Sequence, residues 1–419
     1  MVETDHITEE DTALIGYDLS WLRRRIQGVM AAFPEDCLHA VAVKANPLTG
    51  VLSRIRDTGI GMEAASLPEL RHALEIGYPP GRIVYDSPVK TRKEIAIALR
   101  SGVLLNANTL SELGRIADFL TRERAENPGA PLPPVGIRVN PQVGLGTIAA
   151  TSVAARDSKF GVPLSDYRDE IIGAFDQYDW LCGIHLHIGS QGCPMDMLVD
   201  GTDRVYRLAR DINDRAAAAG RPRPIRFFDM GGGLPAAYHR DRAEPDIREY
   251  AEKLRECCPR LFTDEFRLIT EFGRHIHAGS GWAASRAEYV EPRNGGYIVC
   301  VHVGADLFLR KCYRPEDWHH DISVLHPDGR PKTGVEIRRH SIAGPLCFAG
   351  DLTARNMPLP KIDPGDWVIF HDTGAYTFGM WSRYNSRQTP KIIGYEDDGN
   401  RFFTLKNRET VEEVCAFWE

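Results

Sequence analysis

The sequence predicts an α/β protein whose first part holds a parallel sheet, open or closed into a barrel, and whose last part is an antiparallel β domain. Two textures predict it. Over the first two-thirds, short apolar runs rich in β-branched residues alternate with helical patterns, and parallel neighbours need such crossover helices. From about residue 283 the runs shorten and are divided by NGG, PDG and DDGN turns, the chemistry of tight antiparallel connections.

In chain order, LHAVAVK (38–44), RIVYDS (82–87), VGIRVN (135–140), CGIHLHIGS (182–190), IRFFDMGGG (225–233) and RLITEFG (267–273) read as buried strands. Each ends in polar or glycine residues, where barrel enzymes carry their active-site groups. LPELRHALEIG (67–77), KEIAIALRSG (93–102) and MLVDGTDRVYRLARDINDRAAAAG (197–220) read as helices between them. In the last part, EYVEPRNGGYIVCVHVG, GVEIRRHSIAG, DWVIFHDTG and KIIGYEDDGNRFFTLKN supply the antiparallel strands. NPGAPLPP (127–134) and GRPRP (220–224) read as exposed loops, and no internal repeat is present.

A chain of 419 residues suits two domains, since an α/β barrel alone takes about 250. A net charge of −7 with no basic block gives no electrostatic case for nucleic acid or anionic membranes. The opening MVETDHITEEDT is acidic and polar, unlike a secretory signal, and no apolar run approaches spanning length. Nine cysteines without a CxxC spacing read as the reduced thiols of a cytoplasmic protein.

Lys44 closes the apolar run HAVAV ahead of Ala-Asn-Pro. A lysine at the end of a buried strand is poorly solvated, which favours the neutral amine that attacks an aldehyde; position alone suits an ordinary surface lysine better. Three strand-end loops, HIGSQG (187–192), DMGGGLP (229–235) and EFGRH (271–275), offer backbone N–H groups to a phosphate, with Ser190 and Arg274 as further donors. One glycine triplet is weak, because turns use glycine without any ligand; three such loops are stronger. His185 with His187, and His275 with His277, are HxH pairs that share a face on a strand and suit a metal, with Asp229 or Glu271 as further ligands. Metal is the weaker reading, because barrel metal sites need carboxylates in a separate matching arrangement. His319 and His320 read as solvated. Cys347 follows a Gly-Pro turn in AGPLCFAGDLTARN that aims one side chain, although a lone cysteine is more often a small core residue. Tyr376 follows Thr-Gly-Ala at a bend that presents its hydroxyl.

Together these residues resemble the fold-type III pyridoxal-phosphate decarboxylases, the family of diaminopimelate and ornithine decarboxylases. YDLSWLRRRI…FP resembles the family's opening helix, AVKANP its cofactor-lysine strand, and GMEAASLPEL the next strand and helix. RVNP, SKFG, HIGSQ, GGG and EFGR (usually EPGR) follow in family order, and GPLC…GD with GAY…YNSR closes the series. The resemblance implies an alanine racemase-like (β/α)8 TIM barrel over residues 1–282 and an antiparallel β-barrel domain over 283–419. It implies pyridoxal 5'-phosphate held as a Schiff base by Lys44, with His187 stacked on the ring. Glu271 would pair with the pyridine nitrogen, so that the ring serves as an electron sink. Ser190, Gly232, Gly233, Gly273, Arg274 and Tyr376 would cradle the cofactor, Arg274 facing either the phosphate or the substrate. Glu63 matches an acidic residue near the lysine. Cys347 matches the residue that returns a proton to the α-carbon from a neighbouring subunit, in a homodimer with shared active sites. Lys159 and Asp351 match a pair that bridges those subunits.

Departures from the family pattern concern the substrate. Phe348 stands where relatives with amine-tailed substrates carry an acidic residue. Arg310, Tyr313 and Arg314 only loosely echo the Arg–Tyr pair that reads a distal carboxylate, and Phe272 replaces proline. The expectation is an amino-acid decarboxylase with Arg274, Arg310, Tyr313 and Phe348 at the substrate, for which diaminopimelate, lysine and ornithine are poor substrates. Three rivals compete: a racemase or epimerase of the same fold, which Glu271 and Cys347 argue against; a metal-dependent barrel hydrolase built on the HxH pairs; and a cofactor-free regulatory homologue, which would be expected to lack Lys44 or Cys347.

Overall fold

The computed structural model describes residues 7–129 and 133–419; the first six residues of the acidic opening and the middle of NPGAPLPP lie outside the described residues. Strand β1 (Ala13–Asp18) runs into a helix, Leu19–Ala32, capped by Asp18, whose carboxylate accepts the Trp21 N–H at 2.7 Å. Eight parallel strands then close into a barrel: β2 (Leu38–Ala42), β3 (Gly61–Ala64), β4 (Ile83–Tyr85), β5 (Leu104–Ala107), β6 (Val135–Asn140), β8 (Leu181–His185), β9 (Phe227–Asp229) and β10 (Arg267–Thr270). β10 pairs back with β2 through Ile269–Leu38 and Thr270–His39, and β7 (Val162–Pro163) is a spur on β6.

The crossover helices start where the sequence places capping side chains. Ser66, Thr91 and Thr109 each accept the N–H of a glutamate three residues on, and Thr91 with Glu94 forms a reciprocal capping box. Their apolar stripes, such as Leu198, Val205, Ala209 and Ile212 of helix Met195–Ala218, face the barrel. Inside the barrel a separate apolar layer of Leu38, Ala40, Val84, Leu104, Cys182, Phe227 and Ile269 forms a plug. Gly183 is glycine for that reason, since a Cβ there would strike the Phe227 ring, and a Cβ at Gly136 would strike Asn106 Oδ1 and crowd the same ring.

The second sheet has nine strands and curls on itself. It comprises β1, β11 (Gly281–Arg293), β12 (Gly296–Val301), β13 (Ile322–Leu325), β14 (Ile337–Ala343), β15 (Leu352–Pro360), β16 (Trp367–Phe370), β17 (Lys391–Glu396) and β18 (Arg401–Lys406). Most pairings are antiparallel; β1–β17 and β12–β14 are parallel. β1 thus belongs to this sheet although it opens the chain, and β11 begins two residues before position 283.

The strand–helix alternation and the NGG, PDG and DDGN turns appear where the sequence puts them. Strand lengths differ. The runs read to positions 44, 87, 190, 233 and 273 leave the ladder at 42, 85, 185, 229 and 270, because Pro, Gly and polar residues turn the backbone away. Among the described residues no helix is long and apolar enough to cross a membrane.

Candidate active site

Each of the eight barrel strands delivers one polar residue in its C-terminal half or just beyond it: Lys44, Glu63, Asp86, Asn106, Arg138, His185, Asp229 and Glu271. All are buried except Lys44, which is half-buried. Lys44 sits on a single 3-10 turn, Val43–Ala45, and forms an ion pair with Glu63. Arg138 Nη1 lies 3.8 Å from Asp86, and His185 Nε2 lies 3.6 Å from Glu271 and 4.0 Å from Asp86. His187, just past the end of β8, places Nδ1 3.8 Å from Glu271 and accepts the Gly232 N–H at 3.1 Å. Asp229 is fixed from two sides, by Asn106 Nδ2 and by the Gly231 N–H, each at 3.0 Å.

These charges set one another. Burial alone lowers the Lys44 ammonium, but Glu63, Asp86, Tyr376 and Glu271 outweigh it and hold it above its ordinary value. This reverses the expectation of a neutral amine at a poorly solvated strand end, because acidic groups surround this lysine. Burial, with Asp86 beside it, raises Glu63; Asp86 is held ionised by Lys44, Glu63, His185 and Arg138 against its own burial. Burial and the Asp86 charge push Glu271 up to about 8, and burial brings His185 down to about 4 and lowers His187. Both imidazoles are therefore neutral near pH 7.

The centre fits a flat, phosphate-bearing pyridine. Both carboxylate oxygens of Glu271 are buried without a hydrogen-bond partner, a costly state that a ring N–H relieves. The three glycine loops touch one another: a Cβ at Gly232 would strike the Glu271 carbonyl, and one at Gly233 (φ +114°) would lie 2.7 Å from the Gly189 carbonyl. Gly273 is equally tight, 2.9 Å from the Cβ atoms of Ala42 and Ala45. Arg274 joins the loops by donating from Nε to Ser190 Oγ at 3.0 Å and from Nη1 to the Tyr238 hydroxyl at 2.6 Å. Tyr376 adopts a left-handed backbone, φ 55°, costly for a bulky residue. Its N–H donates to Ala45 O at 2.8 Å, and its ring lies 4.6 Å from the Arg274 guanidinium and 4.8 Å from that of Arg310. Among the described residues neither arginine is in an ion pair, and Arg310 Nη1 is buried without a partner. Burial and the charge of Arg274 bring Arg310 down to about 10. Two adjacent, uncompensated guanidinium groups call for anions.

Other expected residues lie apart from this centre. Cys347 is exposed in the β14–β15 loop, where its N–H donates to Asn385 Oδ1 at 2.8 Å and its carbonyl accepts the Tyr384 hydroxyl at 3.1 Å. Phe348 stacks on exposed Tyr313, with centroids 4.8 Å apart. Arg314 is exposed and pairs with Glu316 at 2.7 Å and Asp317 at 3.0 Å, so of Arg310, Tyr313 and Arg314 only Arg310 reaches the arginine pocket. Lys159 is exposed, whereas Asp351 is buried and accepts the Ala305 and Leu346 N–H groups of its own chain at 2.5 and 2.7 Å.

The HxH reading is corrected as well. His275 and His277 lie on a one-turn helix, Arg274–His277, because Gly273 ends the extended run; residues two apart on a helix do not share a face. The groups with metal-ligand spacing among the described residues are Asp86–His185–Glu271 and His239–His319–Asp321, and neither joins the two HxH pairs. His319 and His320 are not simply solvated: His319 stacks on His239, and His320 Nδ1 lies 2.8 Å from His371 O.

Asp86, Asn106 and Arg138 went unread as site residues, although Asp86 directly follows the apolar run IVY and carried the same strand-end signal as Lys44. Tyr238 and Trp318, which pack on Arg274, carry no sequence signal of their own.

The chain matches the family described as pyridoxal-dependent decarboxylase, pyridoxal binding domain, over residues 19–278. A diaminopimelate decarboxylase of Pseudomonas aeruginosa is 32% identical over 397 residues, covering 94% of this chain and 88% of the relative. One of Pseudomonas fluorescens is 30% identical over 378 residues, covering 90% and 85%. Among solved structures, diaminopimelate decarboxylase from Helicobacter pylori complexed with L-lysine superposes with a TM-score of 0.84 at 27% identity, covering 99% of this chain and 97% of that one. These relatives overturn the expectation, drawn from Phe348, that diaminopimelate is a poor substrate. The Phe348 ring is engaged by Tyr313 and sets no such rule. The match spans more than half of the chain and ends four residues past Arg274: this is a pyridoxal-phosphate-dependent decarboxylase, a carbon–carbon lyase of the pyridoxal-dependent decarboxylase family.

Proposed function

We propose that the protein decarboxylates diaminopimelate, releasing carbon dioxide and leaving lysine. The reading is carried by the uncompensated pair Arg274 and Arg310 beside the cofactor centre. Diaminopimelate keeps a second carboxylate at its far end, and one guanidinium serves that group while the other serves the cofactor phosphate. The names of the relatives support the same substrate.

Pyridoxal phosphate, when bound, supplies the electron sink for the pair left as carbon dioxide departs. Lys44 Nζ would hold its aldehyde carbon, and Glu63, ion-paired with that nitrogen, would take up the proton that the ammonium gives away. Glu271, with Asp229 beside it, would accept the pyridine N–H, and neutral His187 would face the ring. Ser190, Gly232, Gly233, Gly273, Arg274 and Tyr376 hold the phosphate end, and Arg310 takes the distal carboxylate. Cys347 returns a proton to the α-carbon, reaching the centre from a second copy of the chain, since its own surroundings are Asn385 and Tyr384. The active form is then a homodimer with shared sites, the barrel within 1–282 and the β domain over 283–419, to which β1 is lent. Nine free cysteines suit a reducing, cytoplasmic compartment.

Incubating cofactor-loaded protein with diaminopimelate should release carbon dioxide and lysine in equal amounts, with kcat/KM above that for acidic and aromatic amino acids. No release from diaminopimelate alongside turnover of another amino acid would refute the substrate.

A further inference from the structure

His239 and His319 come from different sheets. His239 lies in the long loop after β9, eight residues beyond Gly231, and His319 lies in the loop before β13. Their rings stack with centroids 3.7 Å apart and planes 13° apart. His319 Nε2 is 2.9 Å from Asp321 Oδ1, and one ligand atom from each of the three residues lies within 4.8 Å of the others. All three are half-buried on an open cavity wall or beside it, so water reaches the cluster.

We propose that His239, His319 and Asp321 form a binding site for a divalent transition metal such as zinc, with the fourth position left to water. Two imidazole nitrogens and one carboxylate oxygen are a donor set that zinc accepts. Asp321 Oδ2 already takes the Arg240 N–H at 2.7 Å, so the metal takes Oδ1 in place of the proton it shares with His319 Nε2. A single carboxylate beside two imidazoles disfavours magnesium or calcium, which rely on oxygen donors, and favours the nitrogen-seeking metals. Binding requires one stacked ring to tilt, because an ion cannot lie in two parallel ring planes at once.

The location gives the site a consequence. The residues immediately before the two histidines are Tyr238 and Trp318, both buried and both packed on Arg274, at 5.8 and 5.1 Å from its guanidinium. A metal joining His239 to His319 ties these two rings together across the two sheets. It therefore fixes the clamp on an arginine of the cofactor centre.

Equilibrium dialysis of tag-free, cofactor-loaded protein against zinc chloride should leave one zinc per chain. His239→Gln and His319→Gln should each weaken retention by at least about 10- to 100-fold, and Asp321→Asn should do so in part. His320→Gln, whose wild-type ring is held by His371 O, should retain zinc. Zinc should also change Trp318 fluorescence in the wild type and not in His319→Gln. Bound-cofactor absorbance shows whether each variant has folded, and Asp321→Asn decides if a histidine variant has not. A wild type that retains no zinc, or retention unchanged in all three variants, would overturn the site.

Discussion

The charged centre of the barrel and the Cys347 loop of the second sheet are built on opposite plans. In the barrel, eight strands bring one polar residue each to a common point, and Glu63, His185 and Asp229 are left with no exposed surface. In the second sheet the β14–β15 loop carries Cys347 outward, pinned from behind by Asp351 and Asn385. A buried group is defined by what encloses it, so the barrel centre can be understood within one chain. An exposed group is defined by what comes to meet it, and the chemistry proposed for the loop requires another surface.

The largest effect should fall on the buried side. Lys44→Ala removes the atom proposed to hold the cofactor and should cut turnover by several orders of magnitude, read as carbon dioxide release. Cys347→Ala should slow the same assay by about 10²- to 10⁴-fold while cofactor absorbance stays at the wild-type level. Activity within a few-fold of wild type would remove the loop from the chemistry. Mixing Lys44→Ala with Cys347→Ala protein should restore about a quarter of the sites under random exchange of subunits. No recovery despite demonstrated exchange would place each site within one chain.

A smaller effect concerns the acid–base state of the centre without cofactor. The folded-state value of Glu271 lies near 8, above its ordinary 4.5. Folding therefore favours its protonated form, and the associated stability is complete below about pH 4.5 and lost as pH rises through about 8. Cofactor-free Glu271→Gln should match the wild type near pH 4.5 and exceed it by a few kcal/mol near pH 8, measured by urea unfolding across that range. Parallel curves would mean that folding leaves the carboxyl near its ordinary value. The smallest contrast is between two arginines. Arg310→Ala should raise KM for the substrate at least about tenfold, the loss of a charge-assisted hydrogen bond. Arg314→Ala, an exposed residue paired with Glu316 and Asp317, should leave KM at the wild-type level.

Legibility in the sequence follows the same division. Apolar runs with polar ends announced six barrel strands and Lys44, because a strand buried on both faces has a local signature. LLNA, residues 104–107, escaped because four residues with a central asparagine offer too short a pattern. β1 escaped for another reason: its partners Gly281–Arg293 and Lys391–Glu396 lie hundreds of residues away, and nothing local says which sheet a lone strand joins. The neutral-amine expectation for Lys44 failed because burial was visible in the sequence and the converging carboxylates were not. Phe348 misled for a similar reason, since its stacking partner Tyr313 lies 35 positions earlier.

The central claim is that Lys44 carries the cofactor at the meeting point of the eight strands. Borohydride reduction of the cofactor-loaded protein, followed by peptide mapping, tests it most directly. The pyridoxyl mass should appear on the peptide containing Lys44 and should vanish from the map of Lys44→Ala. A pyridoxyl group on any other lysine of the wild-type protein would contradict the account.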